Sequence, residues 1–391
     1  MDILSAQGTE CLPTHRFPAA SRGFDWRKVC QPFAGFAAPL PLPGSSGRGI
    51  GRRPANASAL PGRIRNASAA SLHPPKTAMQ KFLNSEEIVV PAGGEDTGKR
   101  LPSRRVFAAR AERLHQLAKG HAMEDFLAFA ARLADAQQNV LDRHGHAFQE
   151  KSRPDADHLA RCRQHGIPPL DAQGGPVPAE WVDVLHALAT EVVPHSPAGL
   201  QNAIAELPDF PAERLHALAR AILRAEEDLG NPVELALAPL IGASLQVLWT
   251  ARALALQPGD IPAGFEGSLC PTCGSQPVAS ILRIDPAGQG VRYATCSLCA
   301  CEWQVTRNKC VPCRNTCDIA YLSPTGEAAT LCPAVEAETC PACHRSLKIA
   351  SMETDPLVDA FADDLATLAL DMQADQAGFH RAGRNLFLFA P

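Results

Sequence analysis

Residues 296–317 read CSLCACEWQVTRNKCVPCRNTC, six cysteines in twenty-two residues of a 391-residue chain that holds fourteen in all. Eleven of the fourteen lie between Cys270 and Cys343, and only Cys11, Cys30 and Cys162 lie elsewhere. Most of them sort into four C-x-x-C pairs: Cys270/Cys273, Cys296/Cys299, Cys310/Cys313 and Cys340/Cys343. Such a pair can form a knuckle, a tight turn that points two thiolates at one ion while backbone N–H groups turn toward the sulfurs. Clustering of this kind reads as metal binding and not as a disulfide framework.

The pairs repeat. Twenty-two residues separate Cys273 from Cys296, and twenty-six separate Cys313 from Cys340. SILRI and VRYAT flank DPAGQG in the first spacer, and DIAYLS and EAATL flank PTG in the second, so each spacer reads as a hairpin of two short strands. Trp303 and Val305 follow Cys299 by four and six residues, as Leu347 and Ile349 follow Cys343, which gives each unit a third strand. The reading is two tandem ribbons of the rubredoxin-like or zinc-ribbon kind, over 262–307 and 308–350. The first would hold one ion on Cys270, Cys273, Cys296 and Cys299, the second another on Cys310, Cys313, Cys340 and Cys343, with a cross-braced exchange of pairs between the two sets as the alternative.

Four thiolates accept iron or zinc alike. A module of about forty residues buries too little apolar surface to fold alone, so each ion is expected to hold its own ribbon together. Gly274 suits the left-handed turn behind a knuckle; Ala300, Arg314 and His344 take the equivalent places and depart from the glycine of an electron-transfer rubredoxin. Cys301, Cys317 and Cys332 are left over and read as packing cysteines, with redox thiols as the alternative.

Outward from the cysteines the texture is helical. Phe126, Phe129, Leu133 and Val140 share a helix face, as do Leu215, Leu218, Ile222 and Leu229 before Gly230, so residues 105–256 read as a helical domain. His115, His121, His186 and His216 lie there without a partner at metal spacing. The uncharged run Leu235–Ala251 contains Pro239, Gly242, Ser244 and Gln246 and reads as a buried core helix, not a membrane span. A boundary is expected near QPGDIPAGF. Residues 354–391 should form a closing helix, opened by Pro356 with Leu357, Phe361, Leu365 and Leu368 on its apolar face, then the tail NLFLFAP. Asp363 and Asp364 read as part of that helix's solvated face. The fold class is therefore α with small β.

Residues 1–78, with ten prolines and no apolar period, read as a disordered leader, and Met79 is an alternative start. The first eighty residues carry ten Lys/Arg against three Asp/Glu, so they are +7 and the remainder is −11 within a net −4. Pro262–Ala350 holds seven of each sign. Two divalent ions on eight thiolates would add about −4, the opposite of the basic footprint of a nucleic-acid binder. No apolar stretch of signal-peptide type follows Met1, and the cytoplasm is the expected compartment. A closed tetrathiolate site has no open position for substrate, and neither a nucleophile triad nor a phosphate loop is visible, so the chain reads as non-catalytic.

The segments CPTCGSQPV, RYATCSLCACEW, KCVPC, CPAC, DPLVDAFADDLATLALD and NLFLF together resemble the FdhE family of formate dehydrogenase accessory proteins. RAERLHQLAKGHAMEDFLAFAARLADAQ is similar to that family's helical start, so the likeness runs from about residue 105 to the end. The resemblance implies a cytoplasmic maturation factor that binds the molybdenum- or tungsten-containing catalytic subunit of respiratory formate dehydrogenase before or during twin-arginine export. It also implies metal on the eight C-x-x-C cysteines, rubredoxin-type iron being one form. The alternative function is a rubredoxin-like electron or thiol carrier to the same client.

Overall fold

A computed structural model describes residues 98–389 apart from 227–228, 264–266, 285–289 and 326–327. The expected leader, with Cys11, Cys30 and Met79, lies outside the described residues, all of which fall in one compact unit.

Among the described residues, seven α-helices lie between the short strand Lys99–Arg100 and the main strands. α1 (Val106–Ala118) buries Phe107, Ala111, Leu114 and Leu117 along one stripe, and α2 (Glu124–Ser152) answers with Phe126, Phe129, Leu133 and Val140. α3 (Ala156–His165), α4 (Trp181–Val192), α5 (Ala198–Glu206) and α6 (Ala212–Leu223) follow. α7 (Pro232–Ala253) is opened by a capping box between Asn231 and Glu234 and is buried on all sides from Leu237 to Ala251. It is long and apolar enough to cross a membrane, yet 89% of its most apolar window is buried inside the fold. It is the core helix the sequence suggested. Gly242 lies at its middle because the C-terminal tail passes close by: a Cβ there would sit 2.6 Å from the Leu386 carbonyl oxygen.

The described strands form a single sheet. β2 (Pro277–Ile284), β3 (Gly290–Cys296) and β4 (Glu302–Gln304) make the first ribbon as an antiparallel meander. β5 (Ala320–Leu322), β6 (Val335–Cys340) and β7 (Arg345–Ser351) make the second. The ribbons join where β2 pairs in parallel with β7, Ser280 opposite Ile349. With β1 (Lys99–Arg100) on the far side of β4, the order is β1-β4-β3-β2-β7-β6-β5.

Two expectations are corrected. EAATL is not a strand: Ala328–Leu331 is a helical turn, α8, and the strand comes later, at Val335–Cys340. The closing helix is two helices, α9 (Ala360–Ala366) and α10 (Leu368–Gln376), broken at Thr367. Its start is capped by the Asp359 carboxylate, which accepts from the Phe361 and Ala362 N–H groups, so Pro356 does not open it and Leu357 is 51% exposed. The tail then runs beside β7 as β8 (His380–Arg381) and wedges between the ribbons: the Ala382 N–H donates to Ser346 O and the Arg384 N–H to Pro277 O. One apolar cluster runs through α1, α2, α4, α7, both ribbons, α9 and the tail.

Candidate metal centres

Each knuckle is built the same way. The chain enters at the end of a strand or loop, turns through two residues and leaves through a left-handed residue: Gly274 at φ 77°, Ala300 at 56°, Arg314 at 65° and His344 at 54°. In three of the four turns that residue's N–H donates back to the first cysteine's carbonyl: Gly274 to Cys270, Arg314 to Cys310 and His344 to Cys340, at 2.8–2.9 Å. The three side-chain-bearing residues thus adopt the turn glycine would favour, at a cost of about 1 kcal/mol each. The departure from glycine that the sequence showed leaves the knuckle geometry intact.

The folds of the two ribbons bring the pairs together. Cys270 Sγ lies 3.6 Å from Cys299 Sγ and Cys273 Sγ 3.4 Å from Cys296 Sγ. In the second set Cys310 is 3.7 Å from Cys343 and Cys313 is 3.6 Å from Cys340. Within each set all four sulfurs lie inside 4.8 Å of one another. Metal–sulfur bonds of about 2.3 Å at tetrahedral angles give edges of about 3.8 Å, whereas a disulfide would bring the sulfurs to about 2.05 Å. The thiols therefore stand at the spacing of ligands around one ion. Donors converge on them: Thr272 N–H on Cys270 Sγ, Leu298 and Cys299 N–H on Cys296 Sγ, each at 3.4 Å, and Asn315 Nδ2 on Cys340 Sγ at 3.6 Å. Such donors lower the charge density on thiolates and set the orientation of the ligands.

The cysteines' titration shows the same design. Burial raises Cys270, Cys296 and Cys299, while hydrogen bonds from its three neighbours and Ser275 overcome burial and hold Cys273 well below an ordinary thiol. In the second set the Cys310 hydrogen bond pulls Cys343 down to about 5, and burial pushes Cys313 up to about 11. Each set thus keeps one sulfur, Cys273 or Cys343, as the natural first thiolate.

The two centres differ in depth. All four sulfur-bearing residues of the first are buried. The helical body covers it: Leu170 and Ala172 N–H donate to the carbonyls of Thr272 and Cys273, and Gln246 of α7 donates to Ser297 O at 2.7 Å. In the second, Cys313 and Cys343 are only half-buried. Of the leftover cysteines, Cys301 is 1% and Cys332 is 0% exposed, and burial pushes the Cys332 thiol up to about 11; Cys317 is half-buried. None of the three joins either set.

Sequence reasoning missed a buried ionic cluster. Asp363 and Asp364 are 1% and 2% exposed, not solvated. Adjacent helix positions point them apart: Asp363 takes a two-pronged contact from Arg113 of α1, at 3.0 and 2.6 Å, and Asp364 meets Lys348 of β7 and Arg381 of β8. Lys348 Nζ also reaches Asp371 Oδ2 at 2.7 Å. Burial would raise Asp364, but Arg381 and Lys348 together hold it below the usual carboxylate range. The available signal was two aspartates inside an otherwise apolar helical run.

Residues 99–264 match the model of the FdhE N-terminal domain, 269–307 that of the FdhE central domain and 308–388 that of the FdhE C-terminal domain. A protein FdhE homolog of Pseudomonas aeruginosa is 39% identical over 288 residues, 73% of this chain and 91% of that one. One from Edwardsiella ictaluri is 39% identical over 289 residues, covering 73% and 89%. The crystal structure of the FdhE protein from Pseudomonas aeruginosa superposes with a TM-score of 0.63 at 38% identity, covering 74% of this chain and 98% of that one.

Proposed function

The chain belongs to the FdhE family of accessory proteins, and from that premise we propose that it is a non-catalytic maturation factor that binds the catalytic subunit of formate dehydrogenase. The client is the molybdenum- or tungsten-containing subunit, and binding takes place in the cytoplasm, before or during twin-arginine export. Cys270, Cys273, Cys296 and Cys299 hold one ion, and Cys310, Cys313, Cys340 and Cys343 hold the other, iron or zinc. The observation that carries the reading is the pair of closed four-cysteine sets joined through one continuous sheet under a helical body. A centre whose four ligands all come from the chain has no position for substrate, but it fixes knuckle surfaces rigidly in space. Rigid surfaces suit capture of another protein.

The test is capture of the catalytic subunit by chain loaded with zinc or with iron. A scaffold should bind its client and restore formate dehydrogenase activity equally well with either ion. Rescue by iron but not by zinc, which has no redox chemistry, would instead support the rubredoxin-like carrier. No capture with either ion would reject both.

A further inference from the structure

The guanidinium groups of Arg113, Arg283, Arg292 and Arg381 each reach a carboxylate. Arg384 reaches none among the described residues. Its Nη1 is shut away from solvent without a hydrogen-bond partner, and its guanidinium carbon lies over the Phe389 ring at 5.6 Å from the centroid. Burial alone brings its pKa down to about 10. The backbone bond from Arg384 to Pro277 O fixes the residue where the tail splits the two ribbons. A half-buried guanidinium with one nitrogen shut from water and no counter-charge among the described residues is what remains when one partner of an ion pair is taken away.

There is room for it. Arg384 lines a cavity of about 150 Å³ whose walls include Ser275, Ser297 and Leu298 of the first metal centre's knuckles and Leu386 of the tail. Leu269, also on the wall, is 40% exposed. We propose that this cavity binds a carboxylate carried on a short apolar stem, the C-terminal residue or an acidic side chain of another polypeptide, with Arg384 as its anchoring cation. The guanidinium fork matches a carboxylate in plane and spacing, and the leucines match the stem, which a free small anion would leave unfilled. Because two walls are metal-centre knuckles, the cavity keeps its shape only while the first centre is intact. The inference concerns this pocket and holds whichever protein is the client.

The test uses the full metal-loaded chain with isotope-labelled arginine and four probes: N-acetyl-leucyl-leucine, its C-terminal amide, N-acetyl-leucyl-aspartic acid α-amide, whose side-chain carboxylate is free, and acetate. The expected result is that a peptide carboxylate shifts the Arg384 Nε–H resonance and binds at least tenfold tighter than the amide and than acetate. The stronger of the two carboxylate peptides tells a chain terminus from an acidic side chain. Arg384→Met should keep two metals per chain and melt no lower than the parent, because it removes a cation without a carboxylate partner among the described residues, while losing at least tenfold in peptide affinity. The carboxylate-versus-amide comparison needs no substitution and decides the matter even where that variant fails to fold. Equal binding of amide and carboxylate, acetate binding as tightly as the peptides, or no binding of either carboxylate peptide would overturn the proposal.

Discussion

At the scale of single residues, two features carry measurable energies. Asp364 is buried between Lys348 and Arg381 and also accepts from Asn385 Nδ2 at 2.9 Å. Asp364→Asn should cost about 3 kcal/mol, because it strands buried cations that were arranged around an anion, and urea unfolding at neutral pH measures it. The folded carboxylate titrates below its unfolded value of about 3.9, so its contribution is present above that pH and lost as the pH falls through the folded pKa. The variant should therefore lose less stability than the parent on acidification below about pH 4. Gly274 offers a second measurement. At φ 77°, with nothing nearer than 3.6 Å to an added Cβ, Gly274→Ala has room but the wrong backbone and should lose about 1 kcal/mol. Ala300→Gly relieves the same strain but adds unfolded-state freedom of similar size, so it should be close to neutral, with metal content unchanged in both.

At the scale of elements, the difference in depth between the centres should appear as a difference in metal exchange. The first centre lies beneath the helical body with all four cysteines buried, whereas Cys313 and Cys343 of the second are half-buried. A chelator should remove one equivalent well ahead of the other, and Cys310→Ala should abolish the fast phase only; release of both ions at a single rate would contradict this account. The cysteine pairs and third strands were legible because a knuckle is local chemistry at fixed spacing and because Trp303 and Leu347 repeat the same offset. The second hairpin was not. Analogy with the first spacer placed a strand at EAATL, but Ala and Leu are strong helix formers, and the β-favouring Val335 and Thr339 mark where the strand runs. The break at Thr367 and the burial of Asp363 and Asp364 were hidden for another reason: their partners, Arg113, Lys348 and Arg381, are distant in sequence, and periodicity along one helix cannot report a cation arriving from another element.

At the scale of the molecule, the sequence suggested ribbons held up one at a time by their own ions, and the structure ties them together. β2 and β7 share one sheet, the tail bonds to both ribbons, and Arg113 of α1 reaches Asp363 of α9. The first knuckle is bonded to the helical body through Thr272 and Cys273, and Trp249 of α7 donates to Leu170 O at 3.0 Å in the same loop. Loss of the first ion therefore removes the floor of the helical body as well as the core of a ribbon. Cys270→Ala should lower the melting temperature of the whole chain, with helical circular dichroism and bound metal lost in one transition, because elements that share one apolar cluster unfold together. Cys340→Ala, at the shallower centre toward the β5 edge of the sheet, should release one ion while the first remains bound and the helical signal stays close to the parent's. Retention of the full helical signal in metal-free Cys270→Ala would show instead that the helical body stands alone, and that the continuous sheet does not couple the two.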